Sequence, residues 1–289
     1  MANLRDIRRR IKSVKNTAQI TKAMQMVAAS KMRKAQQAAL NGRPFAELLN
    51  RVLVSLRDRV DSALHPLLAK REVRNELVIL LSTDKGLCGG LNTNLFREAS
   101  RYDAATTKFI SVGRKGTQFL ARTKRNLIAD FPLKDHPNFL ETKAISKLAI
   151  QKFLAGEVDK VTVLFPRFVN TLVQTPTVIP LLPITSLEEI GLSGGEFTPL
   201  KTGDAIITFE PNPEEVLDSI LPFYTHFELF QFLLGTRASE QSARMVAMKS
   251  ATDNAKTLVK DLTLDYNKIR QASITSELLE ITTAQMALE

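Results

Sequence analysis

At 289 residues with 44% hydrophobic content, the chain is long enough for two structural units, and its composition excludes wholesale disorder. A net charge of +10 and a pI near 9.7 point to an acidic partner: nucleic acid, an anionic membrane or an acidic protein surface. The lone cysteine, Cys88, excludes a disulfide within the chain and fits a reducing compartment.

The opening stretch MANLRDIRRRIKS lacks the apolar centre of a secretory signal. No apolar run approaches the length of a membrane span, so any membrane association is expected to be peripheral. Residues 3 to about 58 predict a long helix. Its stripe runs through Leu4, Ile7, Ile11, Val14, Ala18, Thr21, Ala28, Met32 and Ala35. A second apolar line, Ile20, Met24 and Val27, lies off that stripe and suggests more than one partner. Pro44, after Asn41 and Gly42, marks a kink or a break, and His65-Pro66 ends the run.

The period then changes. Leu77 to Leu81 predicts a buried strand, followed by a Gly-rich turn, Asp84 to Gly90, and a helix from Asn92 to Arg101. Phe109 to Gly113, Leu127 to Phe131 and Lys160 to Phe165 read as further strands. Lys115 to Arg122 and Thr142 to Leu154 read as helices. Thr171 to Pro183 is extended and punctuated by proline, which suits an edge strand or a hairpin arm. Residues 186 to 203 read as a loop and Ala205 to Phe209 as a last strand. Alternating strands and helices predict an α/β domain with a largely parallel sheet over residues 75–210.

From Asn212 as N-cap and Pro213 in the first turn, a second long helix runs to the end. Its apolar stripe is Val216, Ile220, Phe223, Phe227, Phe230 and Leu234. After a polar break at Arg237, Gln241 and Arg244 it resumes at Met248, Ala251, Ala255, Leu258, Leu262, Ile269 and Ala272. Such a helix spans roughly 110 Å, against about 50 Å for a compact globule of this length. It must stand in solvent or be embraced by something else. The expected architecture is α/β plus coiled coil: long terminal helices over 1–60 and 212–289, paired antiparallel, with a Rossmann-like domain inserted.

No catalytic constellation is visible. The Gly-rich turn sits where open α/β sheets bind phosphates, yet it matches neither the dinucleotide fingerprint nor the P-loop. A structural tight turn is the better reading, and Cys88 reads as a structural thiol. His65, His136 and His226 have no metal-ligand spacing, so neither metal nor cofactor is expected. The basic run from Arg5 to Lys34 meets only Asp6 as an acid. A solvated face or a nucleic-acid helix fits it, but the interleaved methionines and alanines suit a protein sleeve with acidic patches better. The polar break reads either as an exposed stretch or as a zone where guanidinium groups meet a partner's carboxylates or carbonyls.

Several words in the chain are long and collinear: Ile11 to Thr17 (IKSVKNT), Ile20 to Met32 (ITKAMQMVAASKM), Asp84 to Asn92 (DKGLCGGLN), Ser239 to Lys249 (SEQSARMVAMK), Ala251 to Asn254 (ATDN) and Tyr266 to Glu280 (YNKIRQASITSELLE). On these words the chain resembles the gamma subunit of F-type ATP synthase over essentially its full length. The resemblance implies a rotary central stalk without catalytic residues of its own. Its helices would turn inside a hexamer of alpha and beta subunits, and its α/β domain would sit on the epsilon subunit and the membrane c-ring. The implied location is the cytoplasmic face of the bacterial plasma membrane. Met24 matches a position sensitive for coupling, and Arg244, Gln271, Thr275, Glu277 and Glu280 match positions that interact with it functionally. Arg270 and Gln271 match a contact to a beta-subunit loop. Ala284 and Gln285 depart from the family's usual Gly-Ala pair, and Phe209 stands where relatives often have Tyr. The paired-cysteine insertion of chloroplast gamma subunits is missing. A basic coiled-coil protein that binds nucleic acid is the alternative reading, and it predicts steeply salt-dependent binding.

Overall fold

The computed structural model describes residues 4–42, 44–45, 48–49, 52, 65–69, 71–132, 137–184, 210 and 212–286. The predicted loop over 186–203 and strand over 205–209 lie outside them, as does His136. The elements are α1 (Leu4–Asn41), β1 (Glu76–Leu81), α2 (Leu91–Ala99), β2 (Thr107–Val112), α3 (Arg114–Arg122), β3 (Asn126–Phe131), α4 (Phe139–Leu154), β4 (Lys160–Phe168), β5 (Gln174–Leu182) and α5 (Pro213–Met286). The chain forms two compact units, one of Met1–Ala28 with Met245–Glu289 and one of Ala29–Arg244.

The first unit is a pair of antiparallel helices. Every residue of the predicted α1 stripe is at least half-buried, and Ile7 and Ala28 are fully so. Thr21 and Thr252 share a hydrogen bond between their hydroxyls at 2.7 Å. Stepped outward from that pair, an antiparallel register sets Ala18 level with Ala255, Val14 with Val259, Ile11 with Leu262 and Ile7 with Tyr266. All eight of those residues are sheltered. The seam on α5 therefore differs from the predicted stripe. It follows Met248, Thr252, Ala255, Val259, Leu262, Tyr266, Ile269 and Ser273, whereas Leu258 and Ala272 are exposed. The shift of one residue arises because threonine serves as a seam residue here. Its hydroxyl is satisfied by the carbonyl of Met248 at 2.8 Å and by Thr21.

The second unit is built on a five-stranded sheet of order β3-β2-β1-β4-β5. β1 pairs parallel with β2 and β4, β2 pairs parallel with β3, and β5 closes one edge antiparallel to β4. The edge strand carries Pro176 and Pro180, which cannot donate to a further strand. Alternation along β1 divides the core. Leu77, Ile79 and Leu81 face the side of α4 and α5, while Val78 and Leu80 face α2 and α3. A parallel sheet must be covered on both faces. On one face that cover includes the first third of α5, through Leu217, Leu221, Tyr224, Leu229, Phe232 and Leu233. The start of α5 is thus a layer of the α/β unit as well as the base of a long helix. Its cap is as predicted: Asn212 accepts from the Glu215 backbone N–H at 2.8 Å and donates back to the Glu215 carboxylate at 2.7 Å.

Regular α1 stops at Asn41, short of the predicted end. Gly42 is a poor helix former, and Pro44 can neither donate to the turn before it nor avoid crowding it. Helical residues reappear at Pro44, Phe45, Leu48, Leu49 and Val52.

Two details carry predictions. Gly113, ahead of α3, has φ of 100°, and a Cβ there would come within 2.5 Å of the Ser82 carbonyl oxygen. Gly113→Ala is expected to destabilise the unit by about 2–3 kcal/mol, read as a lowered urea midpoint at unchanged slope. His226 is buried, with Nδ1 at 2.6 Å from the Ser146 hydroxyl. Burial, assisted by the charge of Lys143, holds its pKa below the ordinary 6.5. The unfolded chain therefore binds a proton first as pH falls below 6.5, so this contribution to stability shrinks toward the lower folded value. His226→Gln should flatten the dependence of the urea midpoint on pH below 6.5.

Candidate functional site

The Gly-rich turn follows β1 at the switch point of the sheet, between β1 and β4, where this class of sheet receives ligands. Here a side chain of the same chain fills the place. Arg244 donates from Nη2 to the carbonyls of Lys85 and Gly86, each at 3.2 Å, and from Nε to Gly86 at 3.4 Å. Thr83 also donates to the Lys85 carbonyl, at 2.9 Å, and Asn92 donates to Thr83 at 2.7 Å. The turn thus presents carbonyl oxygens to a cation, whereas a phosphate needs amide N–H groups.

The arginine is itself held. Glu240 accepts from Arg244 at 2.7 Å and from Arg237 through its other oxygen, and all three side chains are at least nine-tenths buried. Two residues before Arg244, Ser242 donates to the carbonyl of Thr171 at 2.8 Å, in the turn between β4 and β5. The polar stretch of α5 therefore grips two loops of its own unit. It is buried rather than exposed. The sequence left an exposed stretch and a partner contact open; within this chain, the guanidinium groups meet a carboxylate and carbonyls of the chain itself.

Cys88 is buried under this clamp. Burial raises its thiol pKa, with the charge of Arg244 acting against that, and Asn92 donates to its sulfur at 3.5 Å. Such a thiol is a poor nucleophile. His65 is engaged on both nitrogens, accepting from the Leu67 N–H and facing Asp218 at 3.0 Å. Among the described residues no group of His, Cys, Asp and Glu is arranged to hold a metal, and no helix is long and apolar enough to cross a membrane.

The remaining candidate residues lie on the paired helices. Met24 is half-buried on α1 beside the seam. Arg270, Gln271, Thr275, Glu277 and Glu280 are all exposed on α5. Thr275 donates to the Gln271 carbonyl at 2.9 Å, and Ser273 and Ser276 reach Glu277 and Glu280 at 3.4 Å. The structure does not bring Met24 to this group. In the register of the pair it is level with the region of Lys249, about 30 Å of helix from Arg270.

Sequence reasoning named the polar residues of this end and passed over the apolar ones. Stepped from Thr21–Thr252, Leu4 is level with Ile269, so α5 outruns the described part of α1. Beyond that point Ile274, Leu278, Leu279, Ile281 and Met286 are each half or more exposed. Their spacing off the seam was the available signal. On α1, Ile20 and Val27 are exposed too, at 60% and 56%, among the basic side chains. The pair thus carries an apolar outer surface of the kind that other chains cover.

A family model described as ATP synthase matches residues 3–288. The ATP synthase gamma chain of Opitutus terrae is 52% identical, with 99% of each chain covered. That of Methylacidiphilum infernorum is 49% identical, with 100% of each covered. Among solved structures, a chain of the Tetrahymena thermophila mitochondrial ATP synthase central stalk and c-ring superposes with a TM-score of 0.60 at 26% identity, covering 80% of this chain and 99% of that one. A chain of the Euglena gracilis mitochondrial ATP synthase shares the fold, with a TM-score of 0.67 at 20% identity and coverage of 99% and 94%.

Proposed function

This chain belongs to the ATP synthase gamma-chain family, and from that membership we infer that it is the central stalk of an F-type ATP synthase. It couples ion flow through a membrane c-ring to ATP synthesis or hydrolysis at catalytic sites carried by other subunits. Its partners are the catalytic hexamer and the c-ring, and it associates with the membrane peripherally. One observation carries the reading: α5 outruns the described part of its partner helix and exposes Ile274, Leu278, Leu279, Ile281 and Met286 there. An exposed apolar surface of this extent marks a site that other chains cover.

We further propose a division of labour. The helices over 1–60 and 212–289 form the shaft, and the domain over 75–210 carries the contacts to the epsilon subunit and the ring. The complex faces the cytoplasm of a bacterial plasma membrane. Met24 and the group Arg270, Gln271, Thr275, Glu277 and Glu280 meet the hexamer. Arg244 supports coupling from within, by setting the Gly-rich turn. A rotor must pass three equivalent faces, so no single contact can be deep. Exposed ion pairs worth about 0–1 kcal/mol each suit repeated exchange, and the basic face of α1 supplies them.

Native purification through a tag on this chain should recover one copy with three each of alpha and beta. Recovery without a stoichiometric complex, together with tight nucleic-acid binding that weakens steeply with salt, would instead favour the nucleic-acid reading.

A further inference from the structure

The seam between the paired helices is mostly apolar, and such a seam does not by itself fix its register. Sliding α1 along α5 by one heptad replaces the observed layers with Leu4–Leu262, Ile7–Val259 and Ile11–Ala255. These are aliphatic pairs of the same kind as before. Apolar packing of similar size separates the two alignments only weakly.

The Thr21–Thr252 layer is different. Of the layers from Leu4–Ile269 to Ala28–Met245, it alone is polar on both sides. Thr252 is buried and Thr21 half-buried, with their hydroxyl oxygens 2.7 Å apart. Thr252 donates to the Met248 carbonyl at 2.8 Å, which leaves its oxygen to accept from Thr21. The opposite direction is also complete, because Thr21 reaches the Ala18 carbonyl at 3.1 Å. Either way a hydrogen bond crosses the seam and both hydroxyls are satisfied. The adjacent Ala18–Ala255 layer has no bulk to hold the backbones apart at this point.

A slip removes this bond in both directions. One heptad one way sets Thr21 against Met245 and Thr252 against Val14, and one heptad the other way sets them against Val259 and Ala28. No apolar side chain replaces the lost partner. Each hydroxyl keeps a carbonyl of its own helix, so a slipped alignment is disfavoured rather than forbidden.

We propose that the Thr21–Thr252 hydroxyl pair is the register pin of the two helices, selecting one axial alignment that the aliphatic layers leave open. A polar pair in an apolar seam has this role in coiled coils generally. Met24 lies on the next turn of α1, so the pin also sets the height at which Met24 stands against α5. In a stalk under torque it makes both helices turn as one. That consequence rests on the central-stalk reading; the alignment itself does not, and it is measured on the full chain alone.

Disulfide trapping reads the slipped form. In a Cys88→Ser background, Ala18→Cys and Met248→Cys stand one heptad out of register, roughly 10 Å along the axis. That is beyond a disulfide's reach of about 7 Å between Cα atoms. A one-heptad slip brings them level. Under a mild oxidant, Thr21→Val with Thr252→Val should raise the crosslinking rate about 2–10-fold, the discrimination of one hydrogen bond. Thr21→Ser with Thr252→Ser keeps both hydroxyls and should stay at the threonine rate. The urea midpoint of the valine pair should not fall, because exchanging both partners of a buried hydrogen bond for apolar groups of the same shape is nearly neutral. Equal rates for the valine and threonine pairs would overturn the pin, as would a serine pair as fast as valine. Faster crosslinking with a lowered midpoint would show general loosening in place of slip, and would overturn it too.

Discussion

Glu240→Ala should be the most destabilising single substitution in the α/β unit, at about 3–5 kcal/mol, the range for breaking a buried ion pair. The carboxylate is shared by Arg237 and Arg244, and all three groups lie away from water. Removing it takes a counter-charge from two buried guanidinium groups at once. Arg244 keeps its bonds to the Lys85 and Gly86 carbonyls, but carbonyls do not neutralise a charge. Glu240→Gln keeps the shape and should recover only part of the loss. Urea unfolding of the full chain checks this through a lowered midpoint. A shift below about 1 kcal/mol, the value of an exposed pair, would show that the cluster is hydrated. The same substitution should loosen the Gly-rich turn, and faster labelling of Cys88 by a thiol reagent would report it.

The second large effect concerns function. Met24→Lys is expected to uncouple the complex while leaving it assembled. Met24 is half-buried, so a lysine can lay its methylenes along the helix and hold its ammonium in water. The seam of Thr21 and Ala28 on either side stays intact. The added charge instead joins an already basic, outward-turned surface with Lys22 close by. If Met24 meets the hexamer as proposed, a new pair with a carboxylate of that hexamer would have to be broken at every step of rotation. In the low dielectric of a protein interface such a pair costs far more than an exposed one. The ratio of ATP-driven ion pumping to ATP hydrolysis should fall severalfold with complex yield unchanged. Equal loss of assembled complex and of pumping would contradict this.

Much of this was open to inspection in the amino-acid order, for physical reasons that differ by element. The strands were legible because runs such as Leu77 to Leu81 are uniformly apolar and bounded by turn residues. The α1 stripe was legible because its spacing is regular and its flanks are charged. The seam on α5 slipped by one residue because Thr252 is polar by composition and apolar by packing. The first third of α5 is apolar on several sides, and periodicity alone does not say that a sheet lies on one of them. The Arg244 clamp was illegible for a different reason. Its acceptor at Gly86 lies 158 residues away in sequence, and nothing local to an arginine names such a partner.

The central claim is that this chain turns. With the catalytic hexamer fixed to a surface and a bead attached to the α/β unit, ATP should drive rotation in one direction with three equivalent dwells per turn. A disulfide engineered between Leu279 and the facing hexamer wall should stop the bead and hydrolysis together, and reduction should restore both. Hydrolysis that continues at full rate with the crosslink closed would contradict the account.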